Sequence, residues 1–441
     1  MRMIDIIGKK RDGESLGTDE IRYLVSAYTA GTIPDYQVSA LLMAIIFQGM
    51  DRGEIVALTI AMAESGDLLD LSDIVDYAVD KHSSGGVGDK TSLVVLPLVA
   101  AFDVPIAKMS GRGLGFTGGT LDKLESIDGF NVNLSEQQFR QIARDTGLVL
   151  AGQSKTLAPA DGKLYALRDV TGTVASLPLM ASSIMSKKLA AGANGIVLDV
   201  KVGQGAFMKT LDEARQLATI MVRIGVDAGR DMIALLSDMN QPLGIAVGNA
   251  LEVAEAVQTL RGQGPTDFEA HCVEIATYML QLAGQGERWL DPNETRAEVE
   301  GVLRGGAALE FFRKMVEVQG GDVAQIDDLH KLPQAQIRGE LLAAEEGYVS
   351  SIQADKVGLA TLALGAGRAT KTEEIDHAVG IEVHAKVGDS VARNDALMTI
   401  HANSQQALQR ALALLGGAVA YSDRPVDPLP LFYGVIDGDD A

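Results

Sequence analysis

Asp80-Lys81-His82-Ser83-Ser84-Gly85-Gly86-Val87-Gly88-Asp89-Lys90-Thr91 lies between two short apolar runs, Val75 to Val79 and Leu93 to Leu98. That context reads as strand, glycine turn and helix start. The turn gathers backbone N–H groups, hydroxyls, an ammonium and an imidazole in a small volume. Glycines let the main chain approach an anion closely, and a helix N-terminus adds partial positive charge. The stretch therefore reads as a seat for phosphate with a proton donor beside it.

A second loop has the same character. Ser110-Gly111-Arg112-Gly113-Leu114-Gly115-Phe116-Thr117-Gly118-Gly119-Thr120 follows the short strand Val104 to Met109 and leads into a helix from Leu121. Neither loop closes on Gly-Lys-Ser or Gly-Lys-Thr, so neither is a nucleotide P-loop. Gly111-x-Gly113 lacks a third glycine at the offset a dinucleotide site needs, because position 116 is Phe. Two glycine turns after two strands, both with hydroxyl and cationic residues, point to an anion site.

Outward from these loops the patterning changes character twice. Residues 18–65 read as three helices: Thr18 and Asp19 can cap the first, Pro34 opens the second and Asp51 the third. From Ile74 to about Met239, short β-branched strands such as Gly195–Val200 and Met232–Leu236 alternate with helices. This predicts a mainly parallel sheet with helices on its faces. Near 340–346 a module of short strands begins, with a Val387-Gly388-Asp389 turn that resembles the barrel-sandwich of biotinyl and lipoyl carriers. No Met-Lys-Met or Asp-Lys-Ala tip stands at the required hairpin, so a structural β module is expected rather than a carrier.

Composition narrows the function. The 441 residues carry a formal charge of −21, 47% hydrophobic residues and one cysteine, Cys272. Such acidity opposes binding to nucleic acid or anionic membranes and requires a local cationic pocket for an anionic substrate. The single cysteine fits a reducing cytoplasm. Met1 to Asp5 shows no signal-peptide core, and the apolar run Leu41–Phe47 is too short to span a bilayer.

Two further stretches complete a pattern: Ala158-Pro159-Ala160-Asp161-Gly162-Lys163-Leu164-Tyr165-Ala166-Leu167-Arg168-Asp169-Val170 and Ala181-Ser182-Ser183-Ile184-Met185-Ser186-Lys187-Lys188. With the two loops they make four ordered motifs, and the chain resembles the pyrimidine-nucleoside and thymidine phosphorylases over nearly its whole length. The resemblance implies an α/β protein in which a discontinuous helical domain (1–65 and 163–193) joins a mainly parallel α/β sheet domain (66–162 and 194–335), followed by a C-terminal α+β module (336–441). It also implies a homodimer formed through the N-terminal helices.

The implied activity is reversible phosphorolysis of uridine, thymidine or deoxyuridine, giving free base and pentose 1-phosphate. Lys81, Ser83, Ser110 and Thr120 are expected to hold phosphate. His82, Arg168, Ser183 and Lys187 are expected on the base, with His82, Arg168 and Lys187 as the catalytic set and His82 either protonating or polarising the leaving pyrimidine. Phe207 either packs on the base or belongs to the core. Sugar selectivity is assigned to Ser84, Lys108 and Phe116, where family members usually carry Thr at 84 and His at 116. Lys108 resembles the broad-specificity branch and could donate to a ribose 2′-hydroxyl.

No organic cofactor or metal is implied, phosphate being a co-substrate. Some relatives hold potassium between the Gly88 turn and Leu243, Ala246 and Glu255; there position 90 is commonly Thr, and here Lys90 is expected to replace the ion. Three rival readings stand beside the main one: a strict thymidine phosphorylase, an anthranilate-type phosphoribosyltransferase, and a non-catalytic nucleoside or phosphate sensor.

Overall fold

The computed structural model describes residues 1–113, 118–154, 156–368 and 373–438. Four helices open the chain: α1 (Met3–Arg11), α2 (Thr18–Thr29), α3 (Asp35–Gln48) and α4 (Arg52–Ala63). Asp51 caps α4 by accepting from the Glu54 amide, and Glu54 in turn accepts from the Asp51 amide, both at 2.9 Å. The same Glu54 carboxylate is buried against the Lys10 ammonium at 2.8 Å, which pins α1 to α4. Pro34 precedes α3 as expected. The α1 helix is an addition to the three helices expected before residue 65.

The chain then enters the α/β domain through β1 (Val79–Ser83), α5 (Thr91–Ala100), β2 (Ile106–Ser110), α6 (Thr120–Leu124), α7 (Glu136–Thr146) and β3 (Leu148–Gly152). It leaves again for α8 (Pro159–Thr171) and α9 (Leu177–Ala190). Ala160, Leu164, Leu167 and Leu179 of this pair share one apolar cluster with Leu24, Leu41, Ile45 and Leu58 of the first helices. The helical domain is thus assembled from two separate stretches.

The return is β4 (Gly195–Val202), α10 (Leu211–Asp227), β5 (Asp231–Asp238), β6 (Ala246–Val247), α11 (Asn249–Leu260), α12 (Thr266–Ala283), α13 (Pro292–Gly305), α14 (Ala307–Val318) and α15 (Ala324–Asp327). Strands β1, β4 and β5 run parallel, with Lys81 opposite Val197 and Ser83 opposite Asp199. β2 and β3 form a second parallel pair that brings Ser110 beside Gly152. Every residue of β4 is buried, as a strand covered on both faces requires.

The C-terminal module comprises β7 (Ile337–Leu342), β8 (Gly347–Ile352), α16 (Ala354–Leu364), β9 (Gly380–Val383), β10 (Ser390–Val391), β11 (Ala396–Ala402), α17 (Gln405–Leu415) and β12 (Val419–Ser422). Its two antiparallel sheets run β6-β9-β11-β7 and β10-β8-β12. The module is woven into the α/β domain at two places. β6 lends itself to the module's sheet, and a last strand, β13 (Phe432–Asp437), returns to lie antiparallel on the outer edge of β5.

Three segments cross between the helical and α/β domains, and they run together. The Asp67 amide donates to Thr156 O at 2.9 Å and the Leu69 amide to Ala190 O at 2.8 Å. Gly192 sits among them at φ +84°, where a β-carbon would meet Leu69 O at 2.1 Å. Only glycine allows backbone to approach this closely in a left-handed conformation. Beside this strap the two domains also pack directly, since Ile55 of α4 and Ala181 and Met185 of α9 share an apolar cluster with Leu198 of β4 and Met221 of α10.

Candidate active site

The two glycine turns and the α8–α9 pair face one another across a cavity of about 450 Å³. Every expected site residue within the described part of the chain lines it: Lys81, His82, Ser83, Ser84, Lys108, Ser110, Thr120, Arg168, Ser183, Lys187 and Phe207. Phe116 lies outside the described residues. One wall is the ends of β1 and β2 with their loops; the other is helical.

The loop wall is set by charge. Lys81 emerges from β1 with its side chain 1% exposed, 3.6 Å from Asp199 and 3.9 Å from Asp89. Ser83 donates its hydroxyl to Asp89, and Thr91 donates to the same carboxylate at 2.7 Å. Burial alone would raise Asp89, but Lys81 and Lys201 hold it well below the usual carboxylate range. At Gly88, φ +74°, a β-carbon would meet Leu243 O at 2.7 Å, so the first turn packs directly on the 242–246 turn. Lys123 joins the two loops: its ammonium donates to Asp89 O at 3.0 Å and Gly118 O at 3.2 Å and pairs with Glu252 at 3.1 Å.

Beneath the cavity lies a second ionic cluster. Asp80 accepts Lys108 at 2.9 Å on one oxygen and Lys188 at 2.7 Å on the other. Burial opposes ionisation of Asp80, yet the two lysines hold it well below the ordinary value. Burial, with Lys188 nearby, brings Lys108 down to about 7. Lys108 also donates to Lys81 O. Because Lys188 belongs to α9 and Asp80 to β1, this cluster ties the two walls together.

His82 stands above that cluster. Its Nε2 is enclosed and has no hydrogen-bond partner among the described residues. Burial, then Lys188 and Lys108, push its pKa well below 6.5, so the imidazole is neutral at neutral pH. Of the two expected roles, polarisation by a neutral N–H fits this environment before substrates arrive.

The helical wall presents Lys187, whose ammonium bridges Asp161 and Ser183 Oγ, the latter at 3.1 Å. Arg168 is 3% exposed. Its guanidinium donates to Thr173 O at 3.1 Å, Val174 O at 2.8 Å and Leu179 O at 3.0 Å, closing the α8–α9 turn. Two of its five N–H groups remain after these bonds. Phe207 is 39% exposed and lines the cavity, so it is not a core residue. Ser84 also lines the cavity, while its oxygen accepts the Lys201 amide at 2.8 Å and fixes the loop to β4.

Residue patterns align this site with known proteins. Residues 4–66 match the helical bundle domain of a glycosyl transferase family, residues 76–309 match its a/b domain, and residues 348–422 match the pyrimidine nucleoside phosphorylase C-terminal domain. The pyrimidine-nucleoside phosphorylases of Staphylococcus aureus strains USA300 and NCTC 8325 are each 54% identical over 428 residues, 97% of this chain and 98% of theirs. The chain belongs to the pyrimidine-nucleoside phosphorylase family. Among solved structures, anthranilate phosphoribosyltransferase from Thermus thermophilus shares the fold, with a TM-score of 0.59 at 19% identity. That match covers 98% of the other protein and 71% of this phosphorylase-family chain.

Several residues of this family member's site carried no assignment from sequence: Asp80, Lys188, Lys123, Asp161 and the lining residues Ser92 and Tyr165. All but Ser92 and Lys123 sit inside the first, third or fourth stretch quoted above; Ser92 follows the first directly and Lys123 lies three residues past the second. Motif density could have flagged them; pairing partners distant in sequence could not.

Proposed function

We propose that the chain catalyses reversible phosphorolysis of pyrimidine nucleosides. The observation that carries this reading is the facing of two half-sites across one cavity. Loop hydroxyls and Lys81 make an anion seat, and Arg168, Ser183 and Lys187 make a polar edge opposite. Phosphate on the loop wall would attack the anomeric carbon of a nucleoside whose base lies against α8 and α9. As the glycosidic bond breaks, negative charge builds on the pyrimidine, where Arg168, Lys187 and the His82 N–H can stabilise it. Phe207 can pack on the base.

Lys108 supports broad sugar tolerance. Its ammonium has three N–H groups, two of them taken by Asp80 and Lys81 O, which leaves one for a ribose 2′-hydroxyl. An arriving phosphate favours the charged form of Lys108 and lifts it from about 7. The match at 348–422 and the 54% relatives favour this reading over a phosphoribosyltransferase.

Lys90 is proposed to stand where some relatives hold potassium. Its ammonium lies 2.6 Å from Glu255, 2.8 Å from Leu243 O and 3.0 Å from Ala246 O, and packs over the Phe268 ring at 4.9 Å. A fixed cation thus occupies the oxygen cage, and the residues do not fit an added ion. The test is an assay of phosphate-dependent uracil release from uridine, run in potassium and in tetramethylammonium at equal ionic strength. Equal rates are expected; no uracil from uridine together with no thymine from thymidine would defeat the phosphorylase reading, thymine alone would leave a strict thymidine phosphorylase, and a rate lost without potassium would defeat the Lys90 reading alone.

The chain is proposed to act as a cytoplasmic homodimer. Tyr36, Met43 and Phe47 of α3 are 73%, 36% and 78% exposed and share one helix face by their spacing. An uncovered aromatic stripe of this kind marks an interaction surface. Phe47→Glu should convert the dimer to monomer in sedimentation equilibrium; a wild-type monomer at micromolar concentration would refute the proposal.

A further inference from the structure

The C-terminal module sends one cation to each of the two regions that frame the anion seat. Arg368, in the connection after α16, donates to Asp122 at 2.8 Å. Asp122 is 3% exposed and also takes Arg112 at 3.0 Å and the Gly113 amide at 2.7 Å, so it holds the start of the second glycine loop. The segment carrying Arg368 is itself anchored, since Asn249 donates to Ala366 O at 2.8 Å. Lys386, before β10, donates to Pro242 O and Gly244 O, each at 2.6 Å, and pairs with Asp267 at 2.9 Å. Those carbonyls belong to the turn on which Gly88 packs.

We propose that Arg368 and Lys386 are positioning residues for phosphate, so that the C-terminal module is a working part of the anion half-site. Two physical effects act together. Arg368 joins Arg112 in neutralising a buried carboxylate close to Thr120, where uncompensated negative charge would repel an incoming anion. Lys386 fixes the turn against which the first loop is shaped. Neither residue lines the cavity, so each acts through another group.

The proposal rests on phosphate sitting between the two loops, and the experiment separates the two. Steady-state kinetics on the full chain would compare Arg368→Ala, Lys386→Met, Arg368→Lys and the exposed-surface control Arg393→Ala. A lost hydrogen bond to a charged group predicts a rise of about tenfold in the phosphate KM for each of the first two. Nucleoside KM should stay within about twofold, and Arg368→Lys should recover part of the loss. In an Asp122→Asn background, Arg368→Ala should add little, because its partner charge is gone. Ser110→Ala with Thr120→Ala tests the underlying seat. If that double variant leaves phosphate KM unchanged, the seat is misplaced. If it raises phosphate KM while Arg368→Ala and Lys386→Met do not, the module has no part in phosphate binding. Equal rises in both substrates' KM values would likewise overturn the positioning role.

Discussion

His82→Ala should lower kcat by about 10²–10³-fold, the loss typical of removing one donor from a preorganised site for developing negative charge. Phosphate KM should change far less, because in the proposed reaction the imidazole faces the departing base and Lys81 carries the anion. The pH profile separates the two expected chemistries. Since burial and the neighbouring lysines press the His82 pKa well below 6.5, the imidazole stays neutral through the neutral range and gains a proton only in more acidic solution. Wild-type kcat/KM, which reports the free enzyme, should therefore show no His82-dependent limb near pH 6.5. Comparison with His82→Asn, which keeps an N–H donor without a titration, checks this. A limb near 6.5 that vanishes in the variant would mean that a stored proton is transferred instead.

Lys90→Met should cost about 3–5 kcal/mol, the usual penalty for leaving one buried partner of an ion pair uncompensated. The side chains of Lys90 and Glu255 are 0% and 5% exposed, and the Leu243 and Ala246 carbonyls would lose their donor as well. Removing both charges in Lys90→Met/Glu255→Gln should recover much of the loss. Thermal and urea unfolding of the three proteins would measure it. A single variant with an unchanged unfolding midpoint would show that the cage tolerates an empty centre.

Much of this site was legible because glycine, hydroxyl and cationic residues crowd into short stretches at strand ends. The turn after β1 needed only local chemistry to interpret. The buried ionic clusters did not read in the same way. Asp80 and Lys188 are 108 positions apart, and Asp122 and Arg368 are 246 apart, so no periodicity or spacing connects them. Lys123 and Lys201 carried no reading from the sequence and by residue type belong on the surface, yet each is at most 1% exposed. Paired carboxylates overrode that expectation. In the fold, α1 was not legible because its apolar residues are confined to Met3 to Ile7, ahead of Gly8 and the basic run Lys9 to Arg11, too short a span to show a helical period. β13 was hidden because an edge strand is defined by the neighbour it finds, here β5 across nearly 200 residues of chain.

That late strand has a consequence for how the protein is made. The edge of β5 is translated long before β13, with the whole C-terminal module between them. Until residues 432–437 leave the ribosome, the growing chain carries a row of unpaired backbone groups at Ile233 to Ser237. The helical domain waits too, since α1–α4 lack part of their core until α8 and α9 emerge. Folding during synthesis is therefore held back at two successive points, and a ribosome stalled within β12 would present an open sheet edge to other nascent chains.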